Sequence, residues 1–410
     1  MHPHAVASVP ASHIWTPVPP KPAPITLGRV VEVLETAWDG VLAWDEFAQR
    51  LVFRKEPPLV GRPGEPVVGK PVRDGDFDRI RLWFEESRTM IVSKQHVIDG
   101  VRLAGRSRAF HPVREYLRGV TWDGKPRVDE WLETFCAVKP RTQELKSLTR
   151  AVARSWLVAC VARAMQPGCK VDSLLVLEGR QGIGKSKALA ALAGDGYFSD
   201  ALIDFGTKDA CQTIQGVWIF ELAELDAIVR GGTSQAKAFV TRAVDRFRQP
   251  FGRVAESIPR SVVFGGTVNH RGYLKDTTGN RRFWTVRCEG ELDVAGLRAA
   301  RDQLWAEARA LYERGVAWHL TKEDEASMRE EHVERMEVDP WDEVIRSWAE
   351  SRGEAAFGIN ELLEGALGMK AQSRNPKVTR RVVPILEGLG YEKRRAGARG
   401  ERVYLYGRVG

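Results

Sequence analysis

Eight consecutive residues, Gly179-Arg180-Gln181-Gly182-Ile183-Gly184-Lys185-Ser186, set a glycine, four intervening residues and a Gly-Lys-Ser ending in one short segment. Those types suit a phosphate chain. Glycines let backbone N–H groups turn inward, a lysine neutralises the terminal phosphate oxygens, and the following hydroxyl ligates Mg2+. The apolar run 173–178 before the segment predicts a buried strand, and Lys187 to Ala193 after it predicts a helix. Strand, glycine-rich loop and helix in that order form the context in which such a loop cradles phosphates. The candidate ATP contacts are Gly179, Gln181, Gly182, Ile183, Gly184, Lys185, Ser186 and Lys187. A glycine turn without a ligand is the competing reading, and the completeness of the motif weighs against it.

Two further polar endings follow apolar strands. Val217-Trp218-Ile219-Phe220 runs into Glu221, with Glu224 three residues on. Carboxylates at the end of a buried strand can hold a metal and polarise the attacking water. Glu221 is assigned with Ser186 to Mg2+ and Glu224 to the water, the reverse remaining open. The run 261–266 then ends in Thr267-Val268-Asn269, which puts an amide where a third strand would face the γ-phosphate, the sensor position of AAA-plus-like ATPases. Thr278-Gly279-Asn280-Arg281-Arg282-Phe283-Trp284 places Arg281 and Arg282 on a turn before another strand. An arginine there could stabilise transition-state charge at a neighbour's γ-phosphate, which would require a ring; a surface salt bridge is the alternative. Lys185, Glu221, Glu224, Asn269, Arg281 and Arg282 are the candidate catalytic residues.

Cations interleaved with aromatics recur in two places. Between the second and third strands lie Lys237, Arg246, Arg248 and Arg253 with Phe247 and Phe251. They suit a hairpin that grips a DNA backbone and stacks on bases, against the competing reading of a solvated basic helix face. The second place is the C-terminus. Residues 370–410 hold 11 Lys/Arg against 3 Asp/Glu, while the other 369 residues balance at 51 against 51, so the entire basic excess is terminal. There, helices near 343–352 and 377–389 and two short strands around 391–395 and 402–406 follow the order of a winged helix. Arg380 and Arg381 would lie on the recognition helix and Arg399 in the wing, with protein docking as the other use of such a module.

The elements that must position these residues sort into four regions. Residues 1–25 form a leader with seven prolines before position 25, expected to be disordered. Residues 26–145 read as a mainly helical accessory domain, 146–330 as the P-loop domain, and 331–410 as the basic winged-helix-like domain. His2, His4 and His13 fall in the leader and receive no role. Five cysteines without CxxC spacing suggest neither a disulfide framework nor a zinc site. The longest apolar run, near Trp156 to Met165, is broken by Arg163 and too short to span a bilayer, and a cytoplasmic protein is expected.

As a set, these residues resemble the virulence-associated protein E family of phage and mobile-element proteins, whose ATPase is related to superfamily 3 helicases. The resemblance spans roughly 80–335. It is carried by His111-Pro112-Val113-Arg114-Glu115-Tyr116-Leu117, Trp122-Asp123-Gly124-Lys125-Pro126-Arg127, the P-loop, Glu221-Leu222-Ala223-Glu224-Leu225-Asp226, Thr267-Val268-Asn269, Thr278 to Phe283, and Gln303-Leu304-Trp305-Ala306-Glu307-Ala308. It implies an ATP-driven hexameric ring that loads on or unwinds DNA at an origin. Relatives often carry a primase ahead of this block; here priming is expected from a separate polypeptide. The expected fold is α/β, a P-loop AAA-plus-like core between the helical accessory domain and the winged helix. The expected activity is an ATP- and Mg2+-dependent DNA helicase or replication initiator. Two rivals are an ATP-gated, origin-binding initiator that does not unwind, and a P-loop kinase, for which no acceptor pocket is evident.

Overall fold

A computed structural model of the chain describes residues 25–59, 68–205, 207–223, 225, 235–248, 254–269, 274, 280–335, 339–370, 375–396 and 403–408. The proline-rich leader, Glu224, Phe251, Arg253 and Arg399 lie outside the described residues. The chain divides into two compact units, Met1–Gly119 and Val120–Gly410.

In the first unit, α1 (Leu27–Ala37), α2 (Asp74–Arg88), α3 (Lys94–Arg106) and α4 (Pro112–Gly119) accompany a small sheet. Its strands β1 (Leu42–Asp45), β2 (Arg50–Phe53) and β3 (Ala109–Phe110) lie in the order β2-β1-β3. Thr26 caps α1 and Ser93 caps α3 by accepting backbone N–H groups, which satisfies donors that a helix start leaves orphaned. Val30, Val33 and Leu34 recur at helical spacing and bury with Val97, Val101 and Ala104 of α3. Trp38 and Trp83 meet edge to face at 5.4 Å in the same core.

The second unit is built on a five-stranded sheet. Its strands are β4 (Leu174–Glu178), β5 (Phe198–Ser199), β6 (Ile219–Leu222), β9 (Val263–Val268) and β10 (Phe283–Arg287), in the order β10-β4-β9-β6-β5 and parallel throughout. Every residue of β4 and β9 is buried, as expected of parallel strands covered on both faces. Helices α5 (Trp131–Phe135), α6 (Gln143–Met165), α7 (Lys185–Ala193), α8 (Lys208–Thr213), α9 (Val294–Glu313) and α10 (Lys322–Val333) belong to the same unit. An antiparallel hairpin, β7 (Val244–Arg248) and β8 (Ala255–Pro259), interrupts the chain between β6 and β9. The last elements are α11 (Asp342–Ser351), β11 (Phe357–Gly358), α12 (Ile359–Gly365), α13 (Pro376–Gly388), β12 (Tyr391–Ala396) and β13 (Val403–Arg408). They form three helices on a sheet of order β11-β13-β12 with a core of its own around Ile345, Leu362, Leu386 and Tyr406.

The boundary expected at 145/146 does not mark the division between the units. Residues 120–145 pack with the P-loop unit because α9 holds them. The Glu307 carboxylate accepts the backbone N–H groups of Arg127 and Val128 at 2.6 and 3.0 Å. Gln303, one turn earlier, accepts from Asp123 N and donates to Thr121 O. Two of the motifs behind the family resemblance are therefore the two sides of one contact. Among the described residues no helix is long and apolar enough to cross a membrane.

Candidate functional site

The glycine-rich loop leaves β4 at its carboxyl end and enters α7 directly. Gly184 caps that helix with φ +98°, in the left-handed region that an L side chain rarely adopts. No side chain caps the helix, which leaves its first N–H groups for an anion. Arg180, Gln181, Gly182, Ser186 and Lys187 form the exposed rim, while Ile183 and Lys185 are buried. The seat is close. A Cβ on Gly265 of β9 would stand 2.9 Å from Leu189 of α7, so the bare backbone of β9 lets the helix settle on the sheet.

The strand order brings the predicted residues together. Lys185 Nζ donates to the carbonyls of Gly179 and Arg180 at 2.6 and 2.7 Å and to Asn269 Oδ1 at 3.1 Å. Ser186 Oγ donates to Glu221 Oε1 at 2.8 Å, and Thr267 Oγ1 donates to the same oxygen at 2.7 Å. Burial pushes the Glu221 carboxyl above its usual range against the pull of those two hydroxyls, and burial likewise lowers the Lys185 ammonium. Among the described residues Glu221 Oε2 is buried without a hydrogen-bond partner. A buried carboxylate with one oxygen doubly hydrogen-bonded and the other unmet, next to a P-loop hydroxyl, fits a hard divalent cation. Thr267 went unassigned in the sequence; its signal is its place two residues before Asn269 on one strand, hence on the same face.

Arg281 and Arg282 lie elsewhere. They occupy a 3-10 turn, Asn280–Arg282, at the start of β10. Phe283 pairs with Leu174, the first residue of β4, so both arginines sit at the amino end of a parallel sheet whose phosphate loop leaves the carboxyl end. Arg281 is exposed; Arg282 is half-buried and shares a small apolar cavity with Leu174, Leu225 and Phe283. Lys237 lines that same cavity, its ammonium 5.9 Å from the Phe283 ring centroid. It is therefore not on the hairpin.

The hairpin presents Arg246 and Arg248 outward and turns Asp245 and Phe247 inward. Phe247, 4% exposed, belongs to the core, which corrects the expectation that it stacks on bases. Sequence reading also missed how the hairpin is rooted. Arg260, just past β8, binds Asp245 with Nε–Oδ2 at 2.6 Å and Nη2–Oδ1 at 2.8 Å, both side chains fully buried. Cys211 Sγ donates to the same carboxylate, and the Arg260 guanidinium lies 4.3 Å from the Phe239 ring centroid. Arg163 of α6 closes the root by donating to the carbonyls of Arg242 and Arg260, one on each leg, and of Val171. A second buried pair ties Glu178, the residue before the P-loop, to Arg335 at 2.7 Å.

In the C-terminal elements Arg380 is exposed on α13. Arg381 is engaged: Asp339 accepts from its Nε and Nη2 at 2.8 Å each, and its guanidinium lies 3.8 Å from the Trp341 ring centroid. Arg381 is itself exposed at the surface, and that bidentate, stacked geometry gives it a partner within its own module.

Comparison with known proteins agrees with the sequence motifs. Residues 117–337 match the family model described as virulence-associated protein E-like domain. No curated protein matches the chain significantly. Among solved structures, the chain is similar to the apo structure of the NrS-1 C-terminal region at 12% identity and TM-score 0.45, covering 93% of this chain and 98% of that one. An A form of the same apo region is similar at 13% identity and TM-score 0.45, covering 93% and 99%.

Proposed function

The chain belongs to the virulence-associated protein E-like family, and on that footing we propose that it is an ATP-dependent DNA helicase or replication initiator of a phage or mobile element. One observation carries the reading. Lys185, Ser186, Glu221, Thr267 and Asn269, from one loop and two strands, converge at the carboxyl end of a parallel sheet, where ligands of open α/β sheets bind. The strand β9 lies between the P-loop strand and the acid-bearing strand. This order supports an AAA-plus-like core, because it sets Asn269 beside the terminal phosphate position and beside Lys185.

In this reading the loop backbone and the start of α7 hold the triphosphate, and Lys185 exchanges its carbonyl partners for the β and γ oxygens. Ser186 and Glu221 hold Mg2+, which when bound neutralises charge on the phosphate oxygens. Thr267 keeps the Glu221 carboxylate turned toward Ser186. Glu224 orients the attacking water, and Arg281 or Arg282 serves the pocket of an adjacent copy in a hexameric ring. DNA is gripped by Arg246 and Arg248 of the hairpin, and Arg253 is assigned the same role. The terminal elements act as a winged helix on DNA, through Arg380 and Arg399. A separate primase is the expected partner.

The test is the ATPase rate with and without single-stranded DNA, for wild type and Lys185→Ala, together with unwinding of a forked duplex. DNA-stimulated hydrolysis and unwinding, both lost in the variant, support the motor. Sequence-selective DNA binding without strand separation would favour the ATP-gated initiator, and a chain that binds neither ATP nor DNA would sink both.

A further inference from the structure

The terminal hairpin carries a surface that the ATPase does not use. Register pairs Arg395 with Tyr404, Lys393 with Tyr406 and Tyr391 with Arg408. Side chains alternate along a strand, so Tyr391, Lys393, Arg395, Tyr404 and Tyr406 share one face. At one end of that face Tyr391 and Tyr406 are buried in the core. Further out, Lys393 and Arg395 are exposed and Tyr404 is 46% exposed, with the Lys393 ammonium 4.3 Å from its ring centroid. The face thus leaves the core as cation, aromatic, cation, and exposed Arg394 adds a third charge from the other side.

Like charges gathered on one hairpin repel each other, a cost that an anion would offset. Lysine guarding an edge strand would explain charge on β12. It would not explain an exposed tyrosine on β13, opposite Arg395. On the neighbouring helix Lys377 and Arg380 are exposed, side chains that suit a phosphate or a guanine edge, whereas Arg381 is held by Asp339.

We propose that the β12–β13 hairpin binds the phosphate backbone of duplex DNA without regard to sequence, with Lys393 and Arg395 as the phosphate contacts and the Tyr404 ring ordering Lys393. The inference rests on the DNA reading of the preceding subsection and names where and how that contact is made. The hairpin is on this account an electrostatic clamp.

The experiment uses the full chain, without nucleotide, and fluorescence anisotropy on fluorescent duplexes of unrelated sequence across a salt series. The Lys393→Ala/Arg395→Ala variant is expected to flatten the slope of log affinity against log salt by about 2, roughly 1 per lost phosphate contact, equally for every duplex. Tyr404→Ala should weaken binding roughly threefold, the size of a lost exposed cation–π contact, and Tyr404→Phe should restore it. An unchanged slope in the double variant, a loss confined to one duplex sequence, or tighter binding to duplex RNA would each overturn the inference. Hydrolysis with an unchanged slope removes this inference alone; the flattened slope in a chain that never hydrolyses ATP removes the ATPase alone.

Discussion

At the carboxyl ends of β4, β6 and β9 the chain gathers Lys185, Ser186, Glu221, Thr267 and Asn269 into one hydrogen-bonded pocket. At the amino end of β10 it leaves Arg281 exposed and Arg282 half-buried beside Leu174 and Phe283. Five residues of β4 separate the two ends, about 16 Å at 3.3 Å per residue. An arginine on that far turn cannot reach the pocket of its own chain. On the function proposed above, the difference would divide binding from turnover: one copy of the chain would hold the nucleotide, and an arginine of another would meet transition-state charge.

The sharpest way to break this division is Arg282→Ala. It should lower ATP turnover by about 1000-fold, the low end for an arginine that stabilises phosphoryl transfer, while titration with a fluorescent ATP analogue shows binding unchanged. Normal turnover would sink the assignment and send the test to Arg281. A mixture sharpens it further. Inactive Lys185→Ala and inactive Arg282→Ala chains, assembled together in equal amounts, should recover activity up to about a quarter of wild type, the share of random interfaces that keep both groups. A mixture as dead as its parts would mean the two groups work in one chain.

Two smaller effects test the regions flanking the pocket. Asp245→Asn leaves Arg260 charged and buried without its partner and should cost about 3 kcal/mol of stability, read as a lowered Tm. An unchanged Tm would show that the hairpin is rooted some other way. In the first unit, His111 Nδ1 accepts the Arg114 N–H at the start of α4, and burial pushes the imidazole down to about 3. The unfolded chain binds a proton there below about pH 6.5 and the folded chain does not. His111 therefore contributes stability in full above that pH and loses it as pH falls toward 3, by up to about 1.4 kcal/mol per pH unit. Urea midpoints for wild type and His111→Gln that fall equally with acid would contradict this.

What was legible in the sequence was what the chain keeps contiguous. The phosphate loop is one segment flanked by its own strand and helix. Glu221 and Asn269 could be read because each ends an apolar run, and strand ends of a parallel sheet converge. The extents of α13 and the terminal strands differ from expectation by a few residues at most. Pairs distant along the chain were not legible. Asp245 and Arg260 look like two members of a basic stretch until the hairpin folds them face to face. Residues 120–145 read as part of the first region because Gln303 and Glu307, which hold them, come some 180 positions later. Arg381 and Arg380 are identical neighbours in the text, and only the path of Asp339 and Trp341 separates them.

The root of the first hairpin has a mechanical consequence. Arg163 grips both legs from a helix that is itself packed on the sheet, and Asp245 and Arg260 lock the legs together. Beyond Asp245 the described part of β7 runs three residues, to Arg248, about 10 Å. Phe247 on that stretch and Ile258 on the facing strand are themselves buried in the core, so the base of the hairpin moves with the sheet as one body rather than as a free arm.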